Sequence, residues 1–486
     1  MTTVAHSQSL PFYELRANRA AETQAWAAVI LLAGVTIASL VLNFSGILRF
    51  AFPVLSFLVA AFVFRLSKSL YVGLVLWLWF LTPFLRRLVD LRSGWESSNV
   101  LLLAPYLAAG ISGIVLFNRF STLGKREGLP FACTLAAIAY GTIIGVARYS
   151  VASVLPALLA WIVPVLFAFF VYENRHLYKE FRRTIERSFL YGVLLMGGYG
   201  VYQFFFLPEW DRYWMQNVNL SSFGYYAPMQ VRVFSTMNAP APFAAVIMAG
   251  LLLLFAMPGK LRIPAAIVGF AALLLTMSRS GWLGLLVGTI WLFSQISNHQ
   301  RMQMLVGVLA CALLLSAAGY TPVVKDILSD RIHTFSDPGH DVSYVERIKG
   351  HEEAFDRILA EPFGEGLGSV ENEHAVSGNE ERIGPHDSSI LESLYSLGWF
   401  GTLLYAVGLA SIFVRLFHQP VKPNPFGIVA RTVLVGFAAQ FLLNSILLGV
   451  LGFVVWSLAA ICLAEIKEQH PAVFVQFDQA PVKASS

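Results

Sequence analysis

Apolar stretches recur along this chain too often for any water-soluble core to absorb them. About fourteen runs of roughly 16 to 22 mostly apolar residues alternate with short charged clusters, and each is about long enough to cross a bilayer as a helix. They fall near 24–43, 47–64, 70–85, 100–117, 129–147, 152–172, 188–206, 240–257, 262–278, 280–297, 302–320, 389–414, 427–445 and 447–464. Only 13% of the 486 residues are charged and 57% are apolar, whereas roughly a quarter of a soluble domain is charged. A soluble enzyme, a disordered chain and a disulfide scaffold are thereby excluded. Cys133, Cys311 and Cys462 each lie inside an apolar stretch and read as small buried apolar side chains. The expected fold is all-α, a polytopic integral membrane helical bundle of about 12–14 transmembrane helices.

Charge orders the segments between the spans. With both ends cytoplasmic, basic residues collect on the inner side: Arg65 and Lys68, Arg119 to Arg126, the RHLYKEFRRTIER stretch ending at Arg187, Lys260 and Arg262, Arg301, and Arg415 with Lys422. This is the distribution that the positive-inside rule demands. The basic stretch before Arg187 sets topology or touches anionic lipid, and nothing in the chain resembles a nucleic-acid module. The first 22 residues are polar, and no small-residue cleavage site follows the first run. That run is expected to remain as an anchor. The expected organisation is a cytoplasmic segment 1–23, an N-terminal transmembrane bundle 24–206, an exterior loop 207–239, transmembrane helices 240–320, a large extracytoplasmic loop 321–388, C-terminal transmembrane helices 389–464 and a cytoplasmic tail 465–486.

The long exterior loop has a composition of its own. Between 321 and 387 there are fifteen acidic and six basic residues, in a protein whose total charge is +5. Within it, SYVERIKGHEEAFDRILAEP places Val345, Ile348, Phe355, Ile358 and Leu359 at helical spacing, with charged residues opposite. Such a helix could roof a cavity at the outer end of the bundle. Pro362 and the GEGLG that follows end it. FGEGLGSV lacks the Lys-Ser/Thr ending of a phosphate-binding loop and reads as a turn closing over the site. His351, Glu352, Glu353 and His374 match no metal-ligand spacing.

Several arginines defy the charge rule. Arg86, Arg87, Arg148, Arg232 and Arg279 all fall near the outer ends of spans. A guanidinium there needs an anionic partner or a headgroup, and phosphate matches its bidentate geometry. Arg279 lies in LLLTMSRSGWLG, a tight turn between two spans whose small neighbours leave room for a ligand oxygen. Arg232 lies in VRVFSTMNAPAPFA, directly before another span. Two such cations suit the two phosphates of a lipid pyrophosphate. His386, in PHDSSILESLYSLGWFG, falls just before a span, where a neutral imidazole can take a proton from a hydroxyl. Asp387 and Glu392 could orient the ring or recognise an acceptor, and Asp387 could equally cap the incoming helix.

In their order and membrane placement, these pieces resemble the O-antigen ligase and Wzy-type polysaccharide polymerase superfamily. The similarity runs from about 228 to 410, through VRVFSTMNAPAPFA, TMSRSGWLG, YVERIKGHEEAFDRILAEPFGEGLGS and PHDSSILESLYSLGWFG. It implies a GT-C-like membrane enzyme of the bacterial inner membrane with its active face periplasmic. The implied activity is an inverting transfer or polymerisation of glycan units from an undecaprenyl-pyrophosphate donor to a hydroxyl of a glycan or lipid-linked glycan, without cofactor or metal. A chain-length regulator and a flippase are the implied protein partners. Carried onto this chain, Arg232 and Arg279 are the expected pyrophosphate-binding arginines and His386 the expected base. Arg347 is the expected exterior-helix arginine, and Asp387, Arg86, Arg87 and Arg148 are further candidates for substrate contact. Asp387 stands where the family often has Asn. An O-antigen ligase that uses lipid A core or protein as acceptor is an alternative, and a lipid-linked glycan flippase is an alternative of another class. A transporter spreads its charges along a path through the bilayer, whereas these gather on one face.

Overall fold

The computed structural model describes residues 12–218, 221–302, 304, 351–352, 354–369, 388–418 and 424–469. Among them, nine helices are long and apolar enough to cross a membrane, and Pro240–Ala256, Arg262–Leu275 and Pro425–Ala438 are shorter apolar helices. The described residues form no sheet, only an isolated antiparallel bridge between Gly224 and Val231. This is the architecture lipid enforces, since a helix pairs its own backbone groups where no water can. Most of the 302–320 stretch lies outside the described residues. Cys133 is half-buried and Cys462 buried, both as free thiols, and Cys311 is outside the described residues.

Contacts divide the chain into two compact units, Met1–Ile111 and Ser112–Ser486. The first contains α1 (Phe12–Val41), α2 (Ser45–Leu66), α3 (Lys68–Ser93) and the beginning of α4, the span Val100–Asn118. That span is broken by a 3-10 turn at Ile111–Gly113. Just before the break, the Tyr71 hydroxyl donates to the carbonyls of Ala108 and Ala109 at 2.9 and 3.0 Å. A side chain of α3 thus pairs backbone oxygens next to an interruption in the helix.

In the second unit, α5 (Leu129–Arg148), α6 (Val151–Glu173), α7 (Tyr178–Phe206) and the short α8 (Glu209–Val218) lead to α9 (Pro240–Leu253). Every α9 residue from Phe243 onward is buried, so α9 is the central helix of this unit. Next come α10 (Arg262–Leu275), α11 (Arg279–Gln295), α12 (Ser389–His418), α13 (Pro425–Ala438) and α14 (Gly449–Gln469). The 427–445 stretch, read as one span, stops being helical at Ala438, and a non-helical loop carrying Gln440 and Asn444 takes over. Glycines on α11 explain its close packing. A Cβ at Gly281 would meet Ala244 of α9 at 2.7 Å, and one at Gly288 would meet Leu252 at 2.8 Å. Small residues let helix backbones approach where lipid offers no hydrophobic drive for association.

Helices α5 and α12 lie antiparallel, with Gly408 against Pro130 and Thr134, Gly401 against Tyr140, and Leu397 against Gly141. Gly398 breaks α12 with φ 64° and ψ −176°, a conformation nearly confined to glycine. The break releases the Trp399 amide and the Tyr395 carbonyl, which would otherwise bond to each other. The segment 361–369 supplies both replacements. Trp399 N–H donates to the Pro362 carbonyl at 3.0 Å, and Glu365 N–H donates to the Tyr395 carbonyl at 2.8 Å. The segment is therefore a strap bonded into a helix break. Its other side reaches α5, where Leu367 N–H donates to the Gly141 carbonyl at 2.9 Å and Tyr140 donates to the Phe363 carbonyl at 3.1 Å.

At the opposite end of α5 and α12, segments that the charge pattern assigns to the inner side meet. Arg415 of α12 donates to the carbonyls of Arg126 and Glu127, at 2.6 and 3.0 Å. The Glu127 carboxylate accepts from Lys467 of α14 and, at 3.0 Å, from the Tyr172 hydroxyl of α6. Burial pushes the Glu127 carboxyl up, but Lys467, Tyr172 and Arg175 outweigh burial and hold it below its ordinary 4.5. A carboxyl depressed by folding stabilises fully above its unfolded pKa, and the contribution disappears as pH falls through the lower folded value. Glu127→Gln should therefore lower the thermal midpoint at pH 7, and the gap to wild type should close in unfolding scans run below about pH 4. Gly398→Ala would force a Cβ into the Phe363 backbone from a glycine-only conformation. It should cost on the order of 3 kcal/mol, read as a lower midpoint in detergent or nanodiscs.

Candidate functional site

The alternation in Val-Arg-Val-Phe places Arg232. Val231 and Val233 are fully buried while Arg232 between them is half-buried, as expected for extended backbone with period two. The segment is pinned on both edges: Arg232 N–H donates to the Phe223 carbonyl at 2.7 Å and Val233 N–H to the Leu275 carbonyl at 2.9 Å. Phe223 and Phe234 add an edge-on ring contact at 5.0 Å. The segment around Arg232 is thereby bonded to the end of α10.

From there the Arg232 guanidinium reaches the turn between α10 and α11. Nε donates to the Thr276 carbonyl and Nη2 to the Met277 carbonyl, each at 3.2 Å. Two residues later, Arg279 opens α11. The two arginines that the sequence reading pairs are therefore brought to one turn. Met277 holds φ 51°, a left-handed conformation unusual for a residue with a side chain. Thr276 braces the turn, its hydroxyl donating to the Leu273 carbonyl at 2.6 Å and accepting from Ser278 N–H at 3.1 Å. Ser278 precedes α11 without a side-chain cap, so the first N–H groups of the helix have no intrahelical acceptor and carry the positive end of its dipole. With the Arg232 guanidinium bonded to the turn and Arg279 the first residue of the helix that follows, positive charge gathers at this corner between α10 and α11.

Gln203 and Asp211, which the sequence reading did not single out, support this corner. The Gln203 Oε1 accepts from the N–H groups of Phe234 and Ser235, at 3.0 and 2.8 Å, and its Nε2 donates to Asp211 Oδ2 at 2.7 Å. Both side chains are 0% exposed. Tyr199 donates to the same carboxylate oxygen at 2.6 Å and accepts from Trp210 Nε1 at 2.7 Å. In the sequence the only trace of this pair is a Gln before FFF at the end of an apolar run, followed eight residues later by an Asp.

The beginning of α12 is tied to the same half of the unit. Ser389 N–H donates to the Phe441 carbonyl at 3.0 Å, its Oγ donates to the Asn444 carbonyl at 2.7 Å, and Ile446 N–H donates back to that Oγ at 2.9 Å. Asn444 donates to Gln440 Oε1 at 3.0 Å, and the Gln440 amide lies against Gly284 of α11. Gly284 is five residues below Arg279, about 8 Å along the helix axis. Glu392, in the first turns of α12, is buried and accepts from the Ser445 hydroxyl.

The remaining candidates fall elsewhere. Arg148, at the end of α5, pairs with Glu365 and Glu361 at 3.0 and 3.3 Å, and Tyr149 donates to Glu365 at 3.0 Å. These are contacts to the strap. In the first unit, Arg86 is buried against Asp90 at 3.2 Å, donates to the Glu96 and Ser97 carbonyls and lies over the Trp95 ring. Arg87 is fully buried beside Phe84. Arg49, which the sequence reading missed, joins Asp90 and Glu96 at 3.1 and 2.8 Å. His386, Asp387 and Arg347 lie outside the described residues, as do Val345 and Ile348 of the proposed roof helix. Of that stripe, Ile358 is buried against Tyr395, whereas Phe355 and Leu359 are exposed.

A multi-pass helical membrane protein with two arginines at one helix turn defines the class. Within it, residues 264–406 match the Wzy_C family, described as O-Antigen ligase. The match takes in α10, the turn, α11, the strap and most of α12, and so includes Arg279, Arg347, His386 and Asp387. Arg232 and Arg148 precede it. Domain and architecture together support a Wzy-family polysaccharide ligase or polymerase activity in general. No curated protein matches the chain. Ser389→Ala would leave the Ile446 N–H unpaired and remove one of the two hydrogen bonds to the Asn444 carbonyl, and should cost about 2 kcal/mol in a thermal or denaturant unfolding comparison.

Proposed function

We propose that this chain is a membrane glycosyltransferase that transfers or polymerises glycan units from an undecaprenyl-pyrophosphate donor onto an acceptor hydroxyl. The observation that carries the reading is the attachment of Arg232 to the turn that presents Arg279, at the mouth of the region matching the family. The donor's polyprenyl tail lies among the apolar helices, and its pyrophosphate meets the two guanidinium groups and the first amides of α11. Charge that develops on the departing pyrophosphate is neutralised there, in a site preorganised by hydrogen bonds to backbone.

His386 is the base in this scheme. It is joined by three peptide units to Ser389, a reach of at most about 11 Å from the anchored start of α12. The imidazole takes the proton of the acceptor hydroxyl as that oxygen attacks the anomeric carbon; the bond from carbon to the pyrophosphate oxygen breaks, and the lipid pyrophosphate leaves. Direct displacement inverts the anomeric configuration. Arg347 and Asp387 are assigned to the donor and acceptor sides, and the extracytoplasmic face of the bilayer is the expected working side. Arg148, bonded to the strap carboxylates, and the first-unit arginines Arg86 and Arg87 are secondary candidates for substrate contact. The ligase alternative draws support from the matched family's own description.

Purified protein given a defined lipid-linked oligosaccharide, with and without a non-polyprenyl acceptor, distinguishes these readings by product mass. A ladder of repeats marks a polymerase and a single addition to the added acceptor marks a ligase; no glycan transfer at all would return the chain to the transporter class. His386→Ala should reduce turnover by about a hundredfold or more, and unchanged turnover would remove the base assignment. Arg279→Ala should raise the donor KM about tenfold to a hundredfold with the acceptor KM little changed, the scale of a lost hydrogen bond to a charged group.

A further inference from the structure

The segment carrying Arg232 does not hold its shape alone. Ser235, three residues on, has φ 48°, a left-handed conformation that costs a residue with a side chain about 1 kcal/mol or more. Two buried interactions hold it there. Ser235 N–H is taken by Gln203 Oε1, and the Ser235 hydroxyl donates to the Met196 carbonyl at 2.6 Å. Both come from α7. Gly197 and Gly200 allow this helix to approach closely, since a Cβ at Gly197 would meet the Gly269 backbone at 2.9 Å and one at Gly200 would meet Val233 at 2.9 Å. One helix thus fixes both the arginine segment and α10, which bears the turn that segment grips.

Gln203 can do this in only one amide orientation. Its oxygen must face two N–H donors, and a flipped amide would turn its NH2 group toward them. What selects the orientation is Asp211, whose carboxylate can only accept and therefore demands the NH2 side. Tyr199, with Trp210 on its oxygen, holds that carboxylate from the other direction. The order of dependence runs from Tyr199 and Asp211 through Gln203 to the 234–235 backbone and on to Arg232.

We infer that Gln203 and Asp211 are positioning residues for the Arg232 guanidinium: they set the backbone from which it reaches the turn beside Arg279, and so set affinity for the anionic end of the donor. This rests on the donor-binding reading of Arg232. Neither side chain touches substrate, because both are fully buried. Removing the polar atoms of Gln203 releases the strained backbone at Ser235 and lets the guanidinium leave its place on the Thr276 and Met277 carbonyls. A misplacement of about 1 Å in such a group is enough to cost on the order of a hundredfold.

Steady-state kinetics of the purified full chain with an undecaprenyl-pyrophosphate-linked oligosaccharide test the inference. Gln203→Met and Asp211→Leu should raise the donor KM on the order of a hundredfold, with the acceptor KM unchanged. Asp211→Asn, which keeps one acceptor oxygen for Gln203 and Tyr199 but no longer enforces the amide orientation, should raise the donor KM less than Asp211→Leu does. In an Arg232→Ala background, Gln203→Met should cause no further loss in donor kcat/KM, because its effect passes through the missing arginine. A Gln203→Met loss that multiplies with that of Arg232→Ala overturns the inference. So does a normal donor KM in Gln203→Met while Arg232→Ala is impaired, an outcome that leaves the donor-binding reading standing. A normal donor KM in Arg232→Ala instead overturns that reading and the inference with it. If Gln203→Met does not assemble, Tyr199→Phe carries the same cycle: it removes one donor from Asp211 and should raise the donor KM by about threefold, the scale of a partial hydrogen-bond loss. An unchanged value there would overturn the inference.

Discussion

A backbone amide or carbonyl left unpaired in hydrocarbon costs several kcal/mol, and this requirement shapes the irregular features that matter most here. At three departures from continuous helix, another segment provides a partner. At Gly398 the strap supplies both a carbonyl and an amide, to Trp399 and Tyr395. Beside the break in the Val100–Asn118 span, the Tyr71 hydroxyl bonds two carbonyls. At the turn between α10 and α11, an arginine side chain occupies the carbonyls of Thr276 and Met277. In that last case the partner is a cation that the proposed chemistry also needs.

The same economy explains why the charged residues gather at helix ends. Arg415, Lys467 and Glu127 close one end of α5, α12 and α14, while Arg148 with Glu361 and Glu365 holds the strap to the other end of α5. Between these ends the helices meet through glycines and through the rings of Phe131, Tyr405 and Trp456. Close packing of α11 against α9 supports the turn that leads to Arg279, the kind of backing that the proposed anion binding needs. The buried polar groups Gln203 and Asp211 are fully hydrogen-bonded, as a low-dielectric setting demands.

Much of this was legible from residue order. Apolar run length located the helices, and the excess of arginine at one set of span ends drew attention to Arg232 and Arg279. The period-two pattern Val-Arg-Val also points Arg232 away from the core. Other parts were not legible, for definite reasons. The strap looked like a closing turn because its glycines report a backbone need without naming the surface pressed against them. Arg148 carried no local indication that Glu361 and Glu365, more than two hundred residues later, would be its partners. Gln203 resembled an incidental polar residue at a helix end, since its value lies in two N–H groups some thirty residues away.

Sequence by itself determined the solvent this protein folds in, the helical character of its spans and the chemical type of its candidate site. Those properties follow from composition and local periodicity, which act residue by residue through burial and backbone satisfaction. Tertiary structure decided which charges meet: Arg232 with the turn of Arg279, Arg148 with the strap, Arg86 and Arg49 with Asp90. Pairing across tens or hundreds of residues depends on how closely helices approach and in what register. Here that is set by which glycine faces which neighbour in the packed bundle, and local pattern does not encode it.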